Sequence, residues 1–254
     1  MSRAQVPAGF VRVDLPHARV LVRADLASTL ASVLAPPGLT LHAWAGAQAG
    51  ARALQGRGIA WAVPLPGTNL RAVVRRNRHG GLFASLTGDR FLAPTRAPYE
   101  LSTAHRLARR GVETPEVLAI AVYPAGLGVL ARSDVATREI PGARDLGALL
   151  LETAPGDGER AAALAATATL LEHLADAGAR HHDLNVKNVL LAGDRAAPRA
   201  VLLDVDRVTF HRPGSRGVRE ANAARLRRSL AKWMRTQGAV LTSGELQALV
   251  GEGS

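Results

Sequence analysis

Residues 180–191 read RHHDLNVKNVLL and residues 202–207 read LLDVDR. His181, Asp183 and Asn188 fall in the order H-x-D-x-x-x-x-N, and Asp204 and Asp206 follow after one more apolar run. Phosphoryl transfer from a nucleoside triphosphate needs this kind of set. One carboxylate orients the attacking hydroxyl, an amide and a second carboxylate hold Mg²⁺ on the phosphates, and cations offset the developing charge. Asn188 and Asp204 supply the hard oxygen ligands that Mg²⁺ prefers. The plainer reading is a helix-to-strand loop turned by Asp183 and Asn188, since both residue types favour turns. That reading leaves the spacing and the downstream Asp204 as two separate coincidences. His181 is expected to hydrogen-bond backbone near Asp204 rather than react. A zinc site from His173, His181 and His182 is disfavoured, because their spacing supplies no ligand pair with a third partner.

These groups need rigid elements on either side. Upstream, ERAAALAATATLLEHLADAGAR is rich in Ala and Leu and predicts the strongest helix of the chain, apolar around most of its circumference and therefore buried, with Gly178 as its stop. Downstream, NVLLAG and RAVLLDVD predict two short strands, and REANAARLRRSLAKWMRTQG predicts an amphipathic basic helix. In the first half, ARALQGRGIAWAVPL reads as strand, glycine turn and strand, LRAVVRRN as a further strand and RHGGL as a turn. PYELSTAHRLARRG carries helical spacing ending at Gly111. PEVLAIAVYPAG and LGVLARSDV read as strands about a Pro-Ala-Gly turn, and PGARDLGALLLE as a short helix. Residues 1–50 are irregular in pattern, broken at Pro36-Pro37-Gly38. The order predicts an α+β chain of two lobes. Residues 1–138 form a mainly β N-lobe, with 1–50 an N-terminal extension and 51–138 a nucleotide-binding sheet and helix. Residues 139–254 form a mainly α, minimal C-lobe carrying the loop and the basic helix.

The 254 residues are 47% hydrophobic and 21% charged, a globular composition. With no cysteine, disulfides and thiolate metal sites are excluded. The N-terminus shows no signal-peptide apolar core, and no run of about 18 apolar residues predicts a membrane span. Net charge is +11, and of the 32 basic residues all but Lys187 and Lys232 are arginine. Such a surface implies an anionic partner. Between Arg195 and Arg235, eleven basic residues face only Asp204, Asp206 and Glu220. An anionic lipid surface fits this segment better than an inert solvated face. Nucleic acid fits poorly, because four Phe, two Tyr and three Trp do not interleave with the basic run.

The stretch HHDLNVKNVLL…LLDVDR resembles the lipopolysaccharide kinase family, which has the protein-kinase-like fold, and within it the 3-deoxy-D-manno-octulosonic acid (Kdo) kinases. GRG, RHGGL and LARRGVETPEVLA upstream and ANAARLRRSL downstream resemble segments of the same family, so the resemblance covers roughly residues 50–235. It implies Asp183 as catalytic base, Asn188 and Asp204 as Mg²⁺ ligands, Gly56 and Gly58 in the phosphate-covering loop, and Glu100 as the helix partner of a strand cation. No lysine precedes Lys187, so Arg75 of AVVRRN takes the place of the strand lysine. Arginine can hold phosphate bidentately. DVD stands where protein kinases have Asp-Phe-Gly and no Ala-Pro-Glu follows, which disfavours a peptide acceptor. The implied activity is transfer of phosphate from ATP, with Mg²⁺, to the 4-hydroxyl of a Kdo residue on a lipid A precursor. The implied place is the anionic cytoplasmic face of the inner membrane, peripherally bound, with no nucleic acid and no obligate protein partner. A core heptose kinase or other small-alcohol kinase is the alternative, and a non-catalytic pseudokinase module is the alternative of another class.

Overall fold

The computed structural model describes residues 6–55, 58–77, 91–92, 97–125 and 130–250. Gly56 and all of RHGGL lie outside them. The chain divides into two compact units, Met1–Ser102 with Glu116–Glu139, and Thr103–Pro115 with Ile140–Ser254.

The first unit is built on one antiparallel sheet. Its strands are β1 (Phe10–Leu15), β2 (Ala18–Arg23), β3 (Arg52–Gln55), β4 (Ile59–Pro64), β5 (Arg71–Arg76), β6 (Phe91–Leu92), β7 (Val117–Ala125) and β8 (Leu130–Arg138). The order is β1-β2-β7-β8-β5-β4-β3, with β6 added on β8. Residues 10–23, which gave no clear pattern, form a tight hairpin in which Leu15 pairs with Ala18. Ala18, Val20 and Val22 alternate inward along β2, the period-two signature of a strand with one buried face. The Pro16-His17 connection lacks the Asn-Gly or Asp-Gly chemistry that marks most two-residue hairpins, so sequence gave little warning of it.

Two short helices, α1 (Ala27–Val33) and α2 (Leu41–Gly46), add Leu30, Val33, Leu41 and Trp44 to a core shared with Val20, Val22, Val63, Val74 and Tyr123. The start of α2 is fastened to the sheet by polar groups. Thr40 Oγ1 accepts from Ala43 N at 3.1 Å, Tyr123 Oη accepts from Leu41 N at 2.7 Å, and Asp134 Oδ2 accepts from His42 N at 2.9 Å. Burial raises the pKa of the Asp134 carboxyl, against the His42 amide and the Arg76 and His42 charges, which lower it. Gly46 lets α2 approach β4, since a Cβ there would meet the Trp61 indole at 2.9 Å.

The second unit holds α4 (Leu146–Glu152), α5 (Gly158–Asp176), α6 (Arg216–Gln237) and α7 (Ser243–Val250). Helix α3 (Ala97–Ala108) begins in the first unit and ends in the second. The expectation that α5, apolar around most of its girth, is therefore buried is corrected. Its buried side chains, Ala163, Leu164, Thr167, Leu170, Leu171, Leu174 and Ala175, form one stripe, while Ala161, Ala165, Thr169 and Glu172 are exposed. The outward alanines contribute helix propensity, not core. Asp157 caps α5 through Glu159 N at 2.8 Å.

Arg160, on the first turn of α5, is fully buried and binds Glu245 Oε1 at 2.6 Å, the carbonyls of Leu150 and Thr153 at 3.3 and 3.0 Å, and the Val240 carbonyl. A guanidinium can serve so many acceptors because its donors form a fixed fork. Glu245 in turn accepts from Thr242 N at 2.8 Å while Thr242 Oγ1 accepts from Glu245 N at 3.1 Å, a reciprocal cap on α7.

Past α5 the chain must turn sharply into the loop that carries Asp183. Gly178 makes that turn at φ +63°, and a Cβ there would lie 2.4 Å from the His211 carbonyl oxygen. Gly178→Ala is therefore expected to lower stability by at least about 2 kcal/mol, from left-handed backbone and backbone collision together. A shift of the denaturant midpoint at unchanged slope would measure it.

Candidate active site

In the second unit the loop is framed by two antiparallel pairs. Strand β10 (Ala179–His181) pairs with β13 (Val208–Phe210), His181 lying opposite Val208. Strand β11 (Val189–Gly193) pairs with β12 (Pro198–Leu202), and β9 (Arg144–Asp145) adds to the outer edge of β11. Between β10 and β11 the chain makes one 3₁₀ turn, Val186–Asn188. Leu184, Val186 and Val189 are buried, so the loop is anchored by alternate apolar side chains while its polar groups lie between them.

His181 organises the site. Its Nε2 lies 3.1 Å from the Leu203 carbonyl oxygen and its Nδ1 lies 3.1 Å from Asp183 N. A carbonyl can only accept and an amide N–H can only donate, so the ring is neutral, with Nε2–H donating and Nδ1 accepting. Burial pushes the His181 pKa below its ordinary value, against the Leu203 carbonyl and the charges of Asp204, Asp183 and Asp206, which raise it. Both ring nitrogens are committed, so His181 cannot serve as a zinc ligand. The same ring fixes the Asp183 backbone and the residue preceding Asp204.

Asn188 completes the frame. It is buried, its Nδ2 donates to the Asp183 carbonyl at 2.9 Å, and its backbone carbonyl accepts from Leu203 N at 2.8 Å. Asn185 Nδ2 donates to the same Asp183 carbonyl at 2.8 Å. With Nδ2 turned to the loop, Asn188 Oδ1 is the amide atom left for another partner. Asp204 is exposed and has φ 54° and ψ 47°, and among the described residues it is the one non-glycine with positive φ. Left-handed backbone at a non-glycine costs about 1–3 kcal/mol, a strain that concentrates at functional sites. Asp206 is half-buried beside Arg207 Nε at 3.8 Å.

Helix α6 supplies residues that the sequence pattern did not single out. Asn222, fully buried, accepts from His181 N at 3.0 Å and donates to the Ala179 carbonyl at 2.9 Å, acting as a ladder partner for β10. Ser229 Oγ accepts from Val186 N at 3.2 Å. Between them Arg225 donates to Asp183 Oδ1 at 2.5 Å and to the His182 carbonyl at 3.2 Å. Residues 222, 225 and 229 share one helix face. That face was legible as a helical period, but its polar members read as surface. Lys187 pairs with Asp145, which also caps α4 through Ala148 N at 2.9 Å.

In the first unit, Arg75 on β5 lies opposite Ala60 of β4 and Val135 of β8. Its guanidinium forms an ion pair with the buried Glu100 of α3 and donates to Asn77 Oδ1 at 2.8 Å. Gly58 sits at the bend leading into β4.

The model of the lipopolysaccharide kinase (Kdo/WaaP) family matches residues 42–244. The chain belongs to this family. Among its relatives, the 3-deoxy-D-manno-octulosonic acid kinase of Actinobacillus succinogenes is 33% identical over 203 residues, covering 77% of this chain and 81% of the relative. That of Xylella fastidiosa is 33% identical over 199 residues, covering 77% and 75%. A solved structure of WaaP in complex with acyl carrier protein superposes with TM-score 0.51 at 17% identity, covering 80% of this chain and 79% of that one. The fold is protein-kinase-like, and the chain is a kinase, a phosphotransferase of lipopolysaccharide biosynthesis.

Two outcomes follow from the His181 frame. The folded state favours neutral His181, so the stability tied to it is full above the unfolded histidine value of about 6.5 and is lost as pH falls below it toward the depressed folded value. His181→Gln should flatten that part of a stability–pH curve measured by denaturant melts. Asn222→Ala, which strands a buried amide and a carbonyl, should cost about 1–3 kcal/mol on the same assay.

Proposed function

We propose that this kinase transfers the γ-phosphoryl group of ATP, with Mg²⁺, to the 4-hydroxyl of a Kdo residue on a lipid A precursor. The supporting observation is a hydrogen-bonded frame in which one imidazole binds the Asp183 amide and the Leu203 carbonyl and the Asn188 side chain binds the Asp183 carbonyl, while Asp204 follows directly in a left-handed turn. The names of the relatives point to Kdo as the acceptor sugar.

In this reading Asp183 accepts a hydrogen bond from the acceptor hydroxyl and takes its proton as the bond from that oxygen to Pγ forms. The bond from Pγ to the β–γ bridging oxygen breaks and ADP leaves. Asn188 Oδ1 and the Asp204 carboxylate hold Mg²⁺. Among the described residues no three His, Asp or Glu groups cluster as a metal site by themselves. An amide, one carboxylate and the nucleotide's own phosphates suit an ion that usually keeps few protein ligands. When bound, the ion offsets charge on the phosphates. Arg75, aimed by Glu100, holds phosphate in place of the strand lysine, and Gly58 lets backbone cover it; Gly56, assigned to the same loop, lies outside the described residues.

The same reading puts the enzyme at the cytoplasmic face of the inner membrane. Among the described residues no helix is long and apolar enough to cross a membrane. On α6, Arg216, Arg228, Lys232 and Arg235 are exposed, a charge distribution suited to an anionic surface.

The test is transfer of label from γ-labelled ATP to a Kdo-bearing lipid A precursor, to a heptose-containing core and to free sugars. The expected result is label on the Kdo precursor, abolished by chelating Mg²⁺. Asp183→Asn should reduce the rate by about 10²–10⁴-fold. Asn188→Ala should raise the Mg²⁺ concentration needed for half-maximal rate. Label on heptose or free sugars alone would reassign the acceptor, and an Asp183→Asn enzyme of undiminished rate would remove Asp183 from the chemistry.

A further inference from the structure

The contact between Arg225 and Asp183 poses a chemical problem. A carboxylate that must accept a hydrogen bond from an incoming hydroxyl already faces a guanidinium at 2.5 Å. That pair cannot be dismissed as a chance surface contact, because the helix carrying Arg225 is clamped to the loop on both sides. One turn before it, Asn222 bonds the backbone of residues 179 and 181, and one turn after it Ser229 bonds Val186 N. The guanidinium is held at the loop by the fold.

Three features describe what it can do there. First, the pair is half-buried and open to solvent on one side, with the side chains of Arg225 and Asp183 31% and 24% exposed, so a ligand can reach it and one ion pair can replace another without leaving a charge unpaired. Second, a guanidinium has five N–H donors. The described contacts of Arg225 go to the His182 carbonyl and Asp183 Oδ1, which leaves donors for a second anion. Third, the acceptor of the relatives is by its name an octulosonic acid, a sugar that carries an ionised carboxylate at neutral pH. Arginine and carboxylate form the strongest pairing of this kind, two parallel hydrogen bonds in one plane.

We propose that Arg225 is the binding site for the carboxylate of the acceptor sugar. Its present pairing with Asp183 is a latch that this carboxylate releases. On binding, the guanidinium turns toward the sugar acid and Asp183 Oδ1 becomes available to the hydroxyl. No bond is made or broken in the exchange, since one ion pair replaces another. A neutral sugar has nothing to offer Arg225 and leaves Asp183 engaged, so the latch selects acidic acceptors at the catalytic carboxylate itself. The inference rests on the proposed Kdo reading and deepens it. Arg225 touches the acceptor's acid group, not the reacting hydroxyl, so it determines specificity and positions Asp183.

The experiment uses the full chain with Mg·ATP and two acceptors, a Kdo-bearing lipid A precursor and the same precursor with the Kdo carboxylate converted to its methyl ester. The unmodified enzyme should prefer the acid by about 100-fold in kcat/KM, the size expected of one charge-assisted pairing. Arg225→Gln should lower kcat/KM for the acid, raise it for the ester because Asp183 is no longer engaged, and bring the preference near unity. Arg225→Lys should restore part of it. Thermal melts and ATP affinity of each variant separate a latch from a collapsed loop. Equal losses on acid and ester in a folded Arg225→Gln enzyme would overturn the proposal, as would an unmodified enzyme indifferent to esterification. That last comparison needs no variant and decides the matter even if every substitution at 225 fails to fold. No transfer to either Kdo acceptor would overturn the acceptor assignment, and the latch with it. Transfer to both at equal rate would overturn the latch alone.

Discussion

One neutral imidazole holds the centre of the second unit together. His181 takes the Asp183 amide on one nitrogen and gives a hydrogen to the Leu203 carbonyl with the other. The first fixes the loop that follows β10, and the second joins β10 to the residue just past β12, 22 positions away in sequence. They work only while the ring carries one proton. Burial keeps it in that state, and the nearby acids oppose burial without reversing it. Asn188 repeats the same link one layer away, through its side chain to Asp183 and its carbonyl to Leu203 N. The strained Asp204 backbone is tolerated because the residue before it is fixed twice.

Helix α6 is the support behind this frame. Its role explains why a strongly basic helix contains Asn222 and Ser229 on the inward side, where an amphipathic pattern would place apolar residues. Edge strand β10 pairs with β13 on one side, and the amide of Asn222 supplies the missing donor and acceptor on the other. A peptide-like side chain is the natural substitute for a strand. The arginines of this helix therefore divide. Arg225 turns to the loop, Arg219 pairs with Glu172 of α5, Arg227 reaches the Val250 carbonyl, and the remainder face outward.

Much of this was legible in the amino-acid order. The spacing His181, Asp183, Asn188 and the later Asp204 carried the family, and the period-two runs at residues 52–64 and 71–76 gave β3, β4 and β5. Gly178 and Gly111 marked helix ends at positive φ. The opening 50 residues were not legible. Charged residues alternate with Val20 and Val22, and α1 and α2 are too short for a helical period to stand out. The attachment of α2 depends on Tyr123 and Asp134, 82 and 92 residues downstream of the groups they bind, a relation no local window contains. Arg225 was equally hidden. One arginine among eleven basic residues gives no sign that it faces a carboxylate 42 positions earlier.

The buried Arg160 has a consequence for the far end of the chain. It draws on Glu245 and the Val240 carbonyl as well as on the end of α4. Shortening the protein ahead of Val240 would leave a permanent cation in an apolar interior with half its acceptors gone, and arginine cannot escape by shedding its proton. The last helix thus supplies the counter-ion for the helix that leads into the catalytic loop, and a fusion or tag is better tolerated beyond it than in exchange for it.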